Sequence, residues 1–319
     1  MGRSDKPPST RGEPTPPEPI SEAALIARIG RALARAGLPV ALDDDCAHLT
    51  DATALVTTDT LVESVHFDRA LDSLEAIGAQ AAVVNLSDLA ASGGAAGWLV
   101  WSLCLPPSWT PPMVEALADG FATVAARHGA RVVGGNLSRI TGPAVIAVTA
   151  GGPLVGDRPL TRRGALPGDA LYVTGPLGDA ALGYVQADAE TRAARHRWRP
   201  HLAEAAALVR WGHVHAAMDV SDGLLLDTAR LCAVSGVGAD INSTAVPVSA
   251  LYRARLGDDR RLAISGGEDY VLLFAAPADL TPPTPAHRVG RCTAAPGLRV
   301  DGQPHAPRGH DHFAAGMSA

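Results

Sequence analysis

A chain of 319 residues, 47% hydrophobic and 19% charged, suits about two domains and is apolar enough for a buried core, which excludes collagen-like, disordered and disulfide-framework classes for most of it. Its 27 basic and 33 acidic residues sum to −6 without a long basic block, which argues against a nucleic-acid partner; no apolar run reaches the ~18 residues of a membrane span. Only one basic residue is a lysine, Lys6, so a G-x-x-x-x-G-K-[ST] phosphate loop, a kinase strand lysine and a Schiff-base lysine are all excluded.

Residues 1–20 hold six prolines and little apolar surface, and they read as a disordered extension rather than a signal peptide. Ser21 is placed to cap a helix whose apolar positions Leu25, Ile26, Ile29 and Leu33 share a face, with Gly37 as its stop. A β-like run, Ala54 to Thr58, leads into Asp59. A helix is predicted over 73–91, a buried strand over Trp98–Leu105, a helix near 111–128, then strands at Arg131–Val133 and Ala144–Thr149. Gly151-Gly152-Pro153 marks a break, giving expected domains at 21–152 and 153–319. Beyond it the pattern predicts a strand at 170–174, helices near 178–187 and 201–211, a strand at 216–220, a helix at 223–234, and strands near 237–241 and 270–275. The fold class is α/β (α+β): two mixed α/β domains, with strand order undetermined. Four well-separated cysteines without a C-x-x-C read as buried apolar residues of a reducing, cytoplasmic compartment.

The aspartates carry the functional signal. Asp43-Asp44-Asp45 precedes the first strand and Asp59 follows it. Asp88 lies in an Ala/Val-rich helix, Asp219 and Asp222 lie at a strand-to-helix join, and Glu268-Asp269 follows Gly266-Gly267. Each adjoins apolar sequence, where an unpaired carboxylate is costly to bury, and few arginines lie nearby in sequence. An all-oxygen donor set suits a hard divalent cation such as Mg²⁺. Taken singly, each acid is also explained as a helix cap, a solvated turn or a helix-surface residue; five acidic motifs together favour the metal. Gly134-Gly135-Asn136 after a strand and Gly266-Gly267 before one would let backbone approach a phosphate, Arg139 and Arg162 could supply fixed positive charge, and Ser221 could bind phosphate or cap a helix. No G-x-S-x-G or Cys/His pairing suggests a covalent nucleophile.

The ordered series Asp44-Asp45-Cys46-Ala47, Thr57-Thr58-Asp59-Thr60-Leu61-Val62 with Val65-His66-Phe67, and Asn85-Leu86-Ser87-Asp88-Leu89 resembles thiamine-monophosphate kinase, within the aminoimidazole-ribonucleotide-synthetase-like superfamily. Tyr172-Val173-Thr174-Gly175, Asp219-Val220-Ser221-Asp222-Gly223, Ser265-Gly266-Gly267-Glu268-Asp269-Tyr270 and Asp311-His312-Phe313 continue it, so it runs from about residue 22 to 313. The resemblance implies an ATP cleft between the two domains and a homodimer. It further implies several Mg²⁺ ions, with the ATP γ-phosphoryl passing to thiamine monophosphate to give thiamine diphosphate and ADP. On the same ground Asp44, Thr57, Thr58, Asp59, Asp88, Asp219 and Asp222 are the expected metal ligands, and Gly135, Asn136, Arg162 and Ser221 face ATP. His66, Glu268 and His310 line the thiamine-phosphate pocket, and no residue serves as a covalent catalyst. This chemistry needs alignment and charge neutralisation between two anions, which a chain without a useful lysine can supply through metal. The chain departs from the family pattern in having Asn136 for a usual aspartate, Asp43 for a glycine, Gln80 for a lysine, Val271 for a glutamate and His310 for a larger aromatic. Asn136 and His310 keep two alternatives in view: a kinase for another small phosphorylated acceptor, and a nucleotide- or metal-binding homologue without turnover.

Overall fold

The computed structural model describes residues 44–49 and 54–312, together with helical positions 24, 26, 27, 31, 34 and 35. The expected tail at 1–20, the Ser21 cap, the Gly37 stop, Asp43 and Phe313 lie outside the described residues. The described residues between 44 and 310 form one compact unit.

Its first half is a five-stranded sheet backed by two helices. β1 (Ala47–Leu49), β2 (Ala54–Val62), β3 (Trp98–Leu105), β4 (Arg131–Arg139) and β5 (Val145–Pro153) lie in the order β1-β2-β5-β3-β4. All pairs are antiparallel except β3 with β4. The alternation of β2, β3 and β5 sends Leu55, Leu61, Leu99, Leu103, Ile146 and Val148 to one face. There they meet Ile77, Leu86 and Leu89 of α1 (Leu74–Ala91) and Leu117 and Phe121 of α2 (Pro111–Arg127). Each such burial removes apolar surface worth roughly 1.5–3 kcal/mol from water. α1 starts at Ser73, whose hydroxyl accepts from the Ala76 N–H at 3.2 Å, and it is apolar almost all round because protein surrounds it. α1 and α2 cross at glycines: a Cβ on Gly78 would stand 1.9 Å from the Leu117 carbonyl oxygen, and one on Gly120 1.9 Å from that of Glu75.

The second half is a seven-stranded sheet of order β12-β11-β8-β10-β6-β9-β7. Its strands are β6 (Ala170–Val173), β7 (Ala216–Asp219), β8 (Gly238–Ile241), β9 (Leu272–Ala276), β10 (His287–Thr293), β11 (Gly297–Val300) and β12 (Gln303–Pro304). The helices are α3 (Asp179–Gln186), α4 (Ala189–Arg195), α5 (Leu202–Trp211), α6 (Leu224–Ser235), α7 (Ala250–Leu256) and α8 (Arg261–Ser265). β6, β7 and β9 are buried on both faces, hence their unbroken apolar runs. One face packs with Leu182, Leu225 and Tyr252; the other, through Tyr172, Ala217 and Phe274, meets Leu208 of α5 and Ala90 and Ala91 at the end of α1. α1 therefore touches both sheets.

Gly134-Gly135-Asn136, expected to follow the strand at 131–133, lies inside β4, which continues to Arg139 beside β3 with a register shift between Leu99 and Val100. The four cysteines are free thiols, Cys232 and Cys292 buried and Cys46 and Cys104 half-buried. Among the described residues no helix is long and apolar enough to cross a membrane.

Candidate active site

Strand and helix periodicities bring the acids together. On β2, Thr57 and Asp59 point to the α1 face, and on α1 the spacing of Gln80, Ser87 and Asp88 places all three on one side. The Thr57 hydroxyl donates to Asp88 Oδ2 at 2.6 Å, and the Ser87 hydroxyl donates to Asp219 Oδ2 at 2.6 Å. Asp219 ends β7, and Asp45 reaches in from the segment before β1. One carboxylate oxygen from each of Asp45, Asp88 and Asp219 lies within 4.8 Å of the others.

These groups resist ionising together. Burial, reinforced by neighbouring carboxylates, pushes Asp219 up to about 7 and Asp88 well above the usual carboxylate range, with Asp59 adding to the field on Asp88. Burial also raises Asp45, against the opposing charge of Arg162. The Arg162 guanidinium donates to Asp45 Oδ1 at 2.6 Å while its backbone N–H donates to Asp44 Oδ1 at 2.8 Å, so one arginine fixes the acidic loop. Three converging carboxylates against one guanidinium leave excess negative charge in oxygen donors, an arrangement a hard divalent cation fits.

Other expected site residues are placed differently. Thr58 lies on the opposite face of β2, its hydroxyl donating to the Val148 carbonyl at 3.0 Å. Asn136 shares that open face through the register Thr60–Ala147–Ser102–Asn136, three strand spacings or ~14 Å across the sheet, and its amide donates to Ser138 Oγ at 3.0 Å. Gly135 sits on exposed β4 against Trp101. Asp222 pairs with Arg230, which also meets buried Asp227 at 3.3 Å; Asp227 in turn accepts from the backbone N–H groups of Asp222 and Gly223, each at 3.0 Å. The half-buried Ser221 gives its carbonyl to the Glu268 N–H at 2.7 Å, and a Cβ on Gly267 would stand 2.4 Å from that oxygen. Gly267 thus makes room for protein backbone.

A second cluster adjoins the first. Glu268 Oε1 accepts from Gln80 Nε2 at 3.0 Å and faces the Tyr184 hydroxyl at 3.4 Å; that hydroxyl donates to the His66 carbonyl at 3.2 Å. His66 Nδ1 accepts from the Val62 N–H at 3.0 Å. The His310 backbone N–H donates to the Asp222 carbonyl at 2.9 Å, which sets it beside the 219–222 turn. Burial pushes Glu268 up to about 7, and burial with the Glu268, Asp59 and Asp219 charges raises Tyr270, so Tyr270 feels both clusters. Gln80 and Asp88 are eight residues apart on α1, about 12 Å along its axis.

The chain matches the N-terminal domain of AIR synthase related proteins over residues 43–154 and the C-terminal domain over 167–301. It is 35% identical over 274 residues to thiamine-monophosphate kinase of Salmonella typhimurium, covering 80% of this chain and 82% of that one. The chain belongs to the thiamine-monophosphate kinase family. The thiamine-monophosphate kinase of Mycobacterium tuberculosis is 33% identical over 301 residues, 89% of each chain. Among solved structures, AaThiL complexed with AMPPCP and TMP superposes with a TM-score of 0.83 at 32% identity, covering 92% of this chain and 97% of that one. Thiamine monophosphate kinase from Aquifex aeolicus gives 0.78 at 32% identity, covering 90% and 98%.

The structure brings into these clusters several residues to which the sequence alone assigns no site role. Asp45 joins the acid trio, while Asp44 bonds the Arg162 backbone; a run of three aspartates does not say which one turns inward. Ser87 and Gln80 were findable by helical spacing from Asp88. Asp72, Tyr184 and Arg195, which surround Glu268, carry no local signal.

Proposed function

We propose that this chain transfers the γ-phosphoryl group of ATP to thiamine monophosphate, giving thiamine diphosphate and ADP, with Mg²⁺ held by the acid cluster. The observation that carries this reading is the convergence of Asp45, Asp88 and Asp219 from three separate stretches of chain, beside a second cluster around Glu268. Asp45, Asp88 and Asp219, with Thr57 and Asp59 at their edge, would hold the divalent cations. When bound, these supply the charge neutralisation that lets two phosphates approach.

The remaining work falls to the protein itself. Thr57 and Ser87 each occupy one oxygen of Asp88 and Asp219, which fixes the carboxylate planes and leaves the other oxygen to the site. Arg162 anchors the Asp44-Asp45 segment from across the fold, so that segment keeps its place as charge accumulates. Glu268 and the His66 loop, tied through Tyr184, would receive the organic part of the acceptor. No side chain need bond covalently to the phosphoryl group, because in-line transfer asks for position and charge.

We also infer a homodimer. All nine residues of β4 are exposed at the sheet edge, with Val133 and Leu137 55% and 67% exposed, a configuration that invites a second copy to pair. An apolar groove of about 620 Å³ lined by Trp109, Pro111, Val114 and Leu137 lies beside it. The catalytic reading is tested by incubating purified protein with ATP, Mg²⁺ and thiamine monophosphate and separating the products. Thiamine diphosphate is expected from the wild type and almost none from Asp88→Asn; no product at saturating Mg²⁺ would reject the reading.

A further inference from the structure

Arg195 is the last residue of α4, and its guanidinium is among the most deeply buried charges in the molecule, 1% exposed. It reaches three partners. Nη1 donates to Asp72 Oδ1 at 2.5 Å, on the loop before α1; Nη2 donates to the Tyr184 hydroxyl of α3; and Nη2 lies 3.6 Å from Glu268 Oε2. The guanidinium also stacks 3.6 Å from the Tyr184 ring centroid. Glu268 Oε2 itself has no hydrogen-bond partner among the described residues.

Glu268 is aimed by strained backbone. Glu268 and Tyr270 are non-glycine residues at φ +63 and +50, held by donation of their N–H groups to the carbonyls of Ser221 at 2.7 Å and Val220 at 2.8 Å. Such conformations persist where the surroundings over-determine them, most often at binding sites. The charge count points the same way. Two carboxylates, Asp72 and Glu268, share one guanidinium; Asp72 takes the direct contact and also bonds the His196 ring at 2.8 Å, while Glu268 Oε2 has only the guanidinium at 3.6 Å, so the unmatched negative charge sits there. The other facing groups are Tyr184 of α3, Gln80 of α1 and, on its own segment, Asp269 and Tyr270; none is a cation.

We propose that Arg195 is a positioning residue that fixes Glu268 as the anionic recognition group for the cationic ring of the substrate. This rests on the reading of the acceptor as thiamine monophosphate, whose thiazolium carries a permanent positive charge. Asp72 and Tyr184 hold the guanidinium, and the guanidinium holds Glu268 at a distance that steadies the carboxylate without neutralising it. A lysine at position 195 could not serve all three partners, since it lacks the planar fork.

The test is calorimetric binding of thiamine monophosphate and of an uncharged isostere with a thiophene ring in place of the thiazolium, from pH 5.5 to 9. Wild-type protein should prefer the cation by roughly tenfold or more, and the preference should fade as pH drops below about 7, where Glu268 takes a proton. Arg195→Gln should lose most of that preference and shift its pH midpoint upward by about one unit, since a lost guanidinium lets Glu268 bind its proton more readily. Arg195→Lys should restore the midpoint in part but not the affinity. Glu268→Gln, which keeps the shape of the site, should abolish the preference at every pH, and serves if Arg195→Gln does not fold. Equal binding of cation and isostere by the wild type, or full preference with an unmoved midpoint in Arg195→Gln, would overturn the proposal. Turnover of thiamine monophosphate is scored separately. Selectivity without turnover would sink the reaction and spare Arg195; turnover with selectivity untouched in the variants would do the reverse.

Discussion

Removing the carboxylate of Asp219 should make the metal-free protein more stable while ending its activity. Asp219 is 2% exposed, its oxygen lies within 4.8 Å of those of Asp45 and Asp88, and its carboxyl is pushed from 3.8 to about 7. Two unit charges at that separation repel by about 3 kcal/mol at an effective dielectric of 20. The shift, at 1.36 kcal/mol per unit, corresponds to about 4 kcal/mol. Asp219→Asn removes this penalty and keeps the Ser87 hydroxyl bonded to the side-chain oxygen. The folded state binds the Asp219 proton more tightly than the unfolded chain does. The gain should therefore be near zero below about pH 4, grow between pH 4 and 7, and reach roughly 3–4 kcal/mol above pH 7. Urea unfolding in EDTA at pH 4.5 and pH 8 reads it directly, and added Mg²⁺ should stabilise the wild type more than the variant. A variant less stable than wild type at pH 8 in EDTA would refute the reasoning, because the trio would then not be repelling itself.

Three further outcomes follow from other parts of the molecule. Gly120→Ala, whose new Cβ would stand 1.9 Å from the Glu75 carbonyl oxygen, should destabilise by about 1–3 kcal/mol; an unchanged urea midpoint would mean that α1 and α2 can separate freely. Asp72→Asn leaves the buried Arg195 without its direct counter-charge and should cost about 3 kcal/mol at pH 7. Hydrogen bonds from the His196 ring and the Asp68 N–H, with the Arg195 charge, hold the Asp72 carboxyl below its ordinary value, so the difference should shrink as pH falls through that low range; a constant difference from pH 7 to 3 would count against an ion pair. Leu137→Asp, at a position 67% exposed on β4, should convert a dimer to monomer at ~1 μM in sedimentation velocity, and an unaltered species would move the interface elsewhere.

Much of the fold was written in local pattern. The predicted helix at 73–91 is α1 at Leu74–Ala91, and the apolar run Trp98–Leu105 is β3, ended by Pro106, which has no N–H to carry the ladder further. What escaped was non-local or short. Local pattern predicts no element over 250–265 or 287–304, yet α7 and α8 form there against α3, and β10–β12 form by pairing onto β6 and β8 and with one another, without strong local periodicity. In the site, strand alternation alone separates Thr57 and Asp59 from Thr58, so the place of Thr58 on the open face is legible in the sequence. The apparent shortage of arginine partners was misleading. Arg230, eight residues after Asp222 on α6, pairs with it, and Arg162 crosses the fold to Asp45, a distance in sequence that no local pattern encodes. Paired glycines were ambiguous for a related reason: the sequence says that backbone must come close to something, and at Gly267 that something is the Ser221 carbonyl.

Anomalous diffraction from crystals soaked in Mn²⁺, a stand-in for Mg²⁺ with the same oxygen preference, examines the acid cluster most directly. A peak ~2.1 Å from carboxylate oxygens of Asp45, Asp88 and Asp219, lost in Asp219→Asn, is the expected result. Manganese bound only elsewhere, in crystals of protein that still forms thiamine diphosphate, would contradict it.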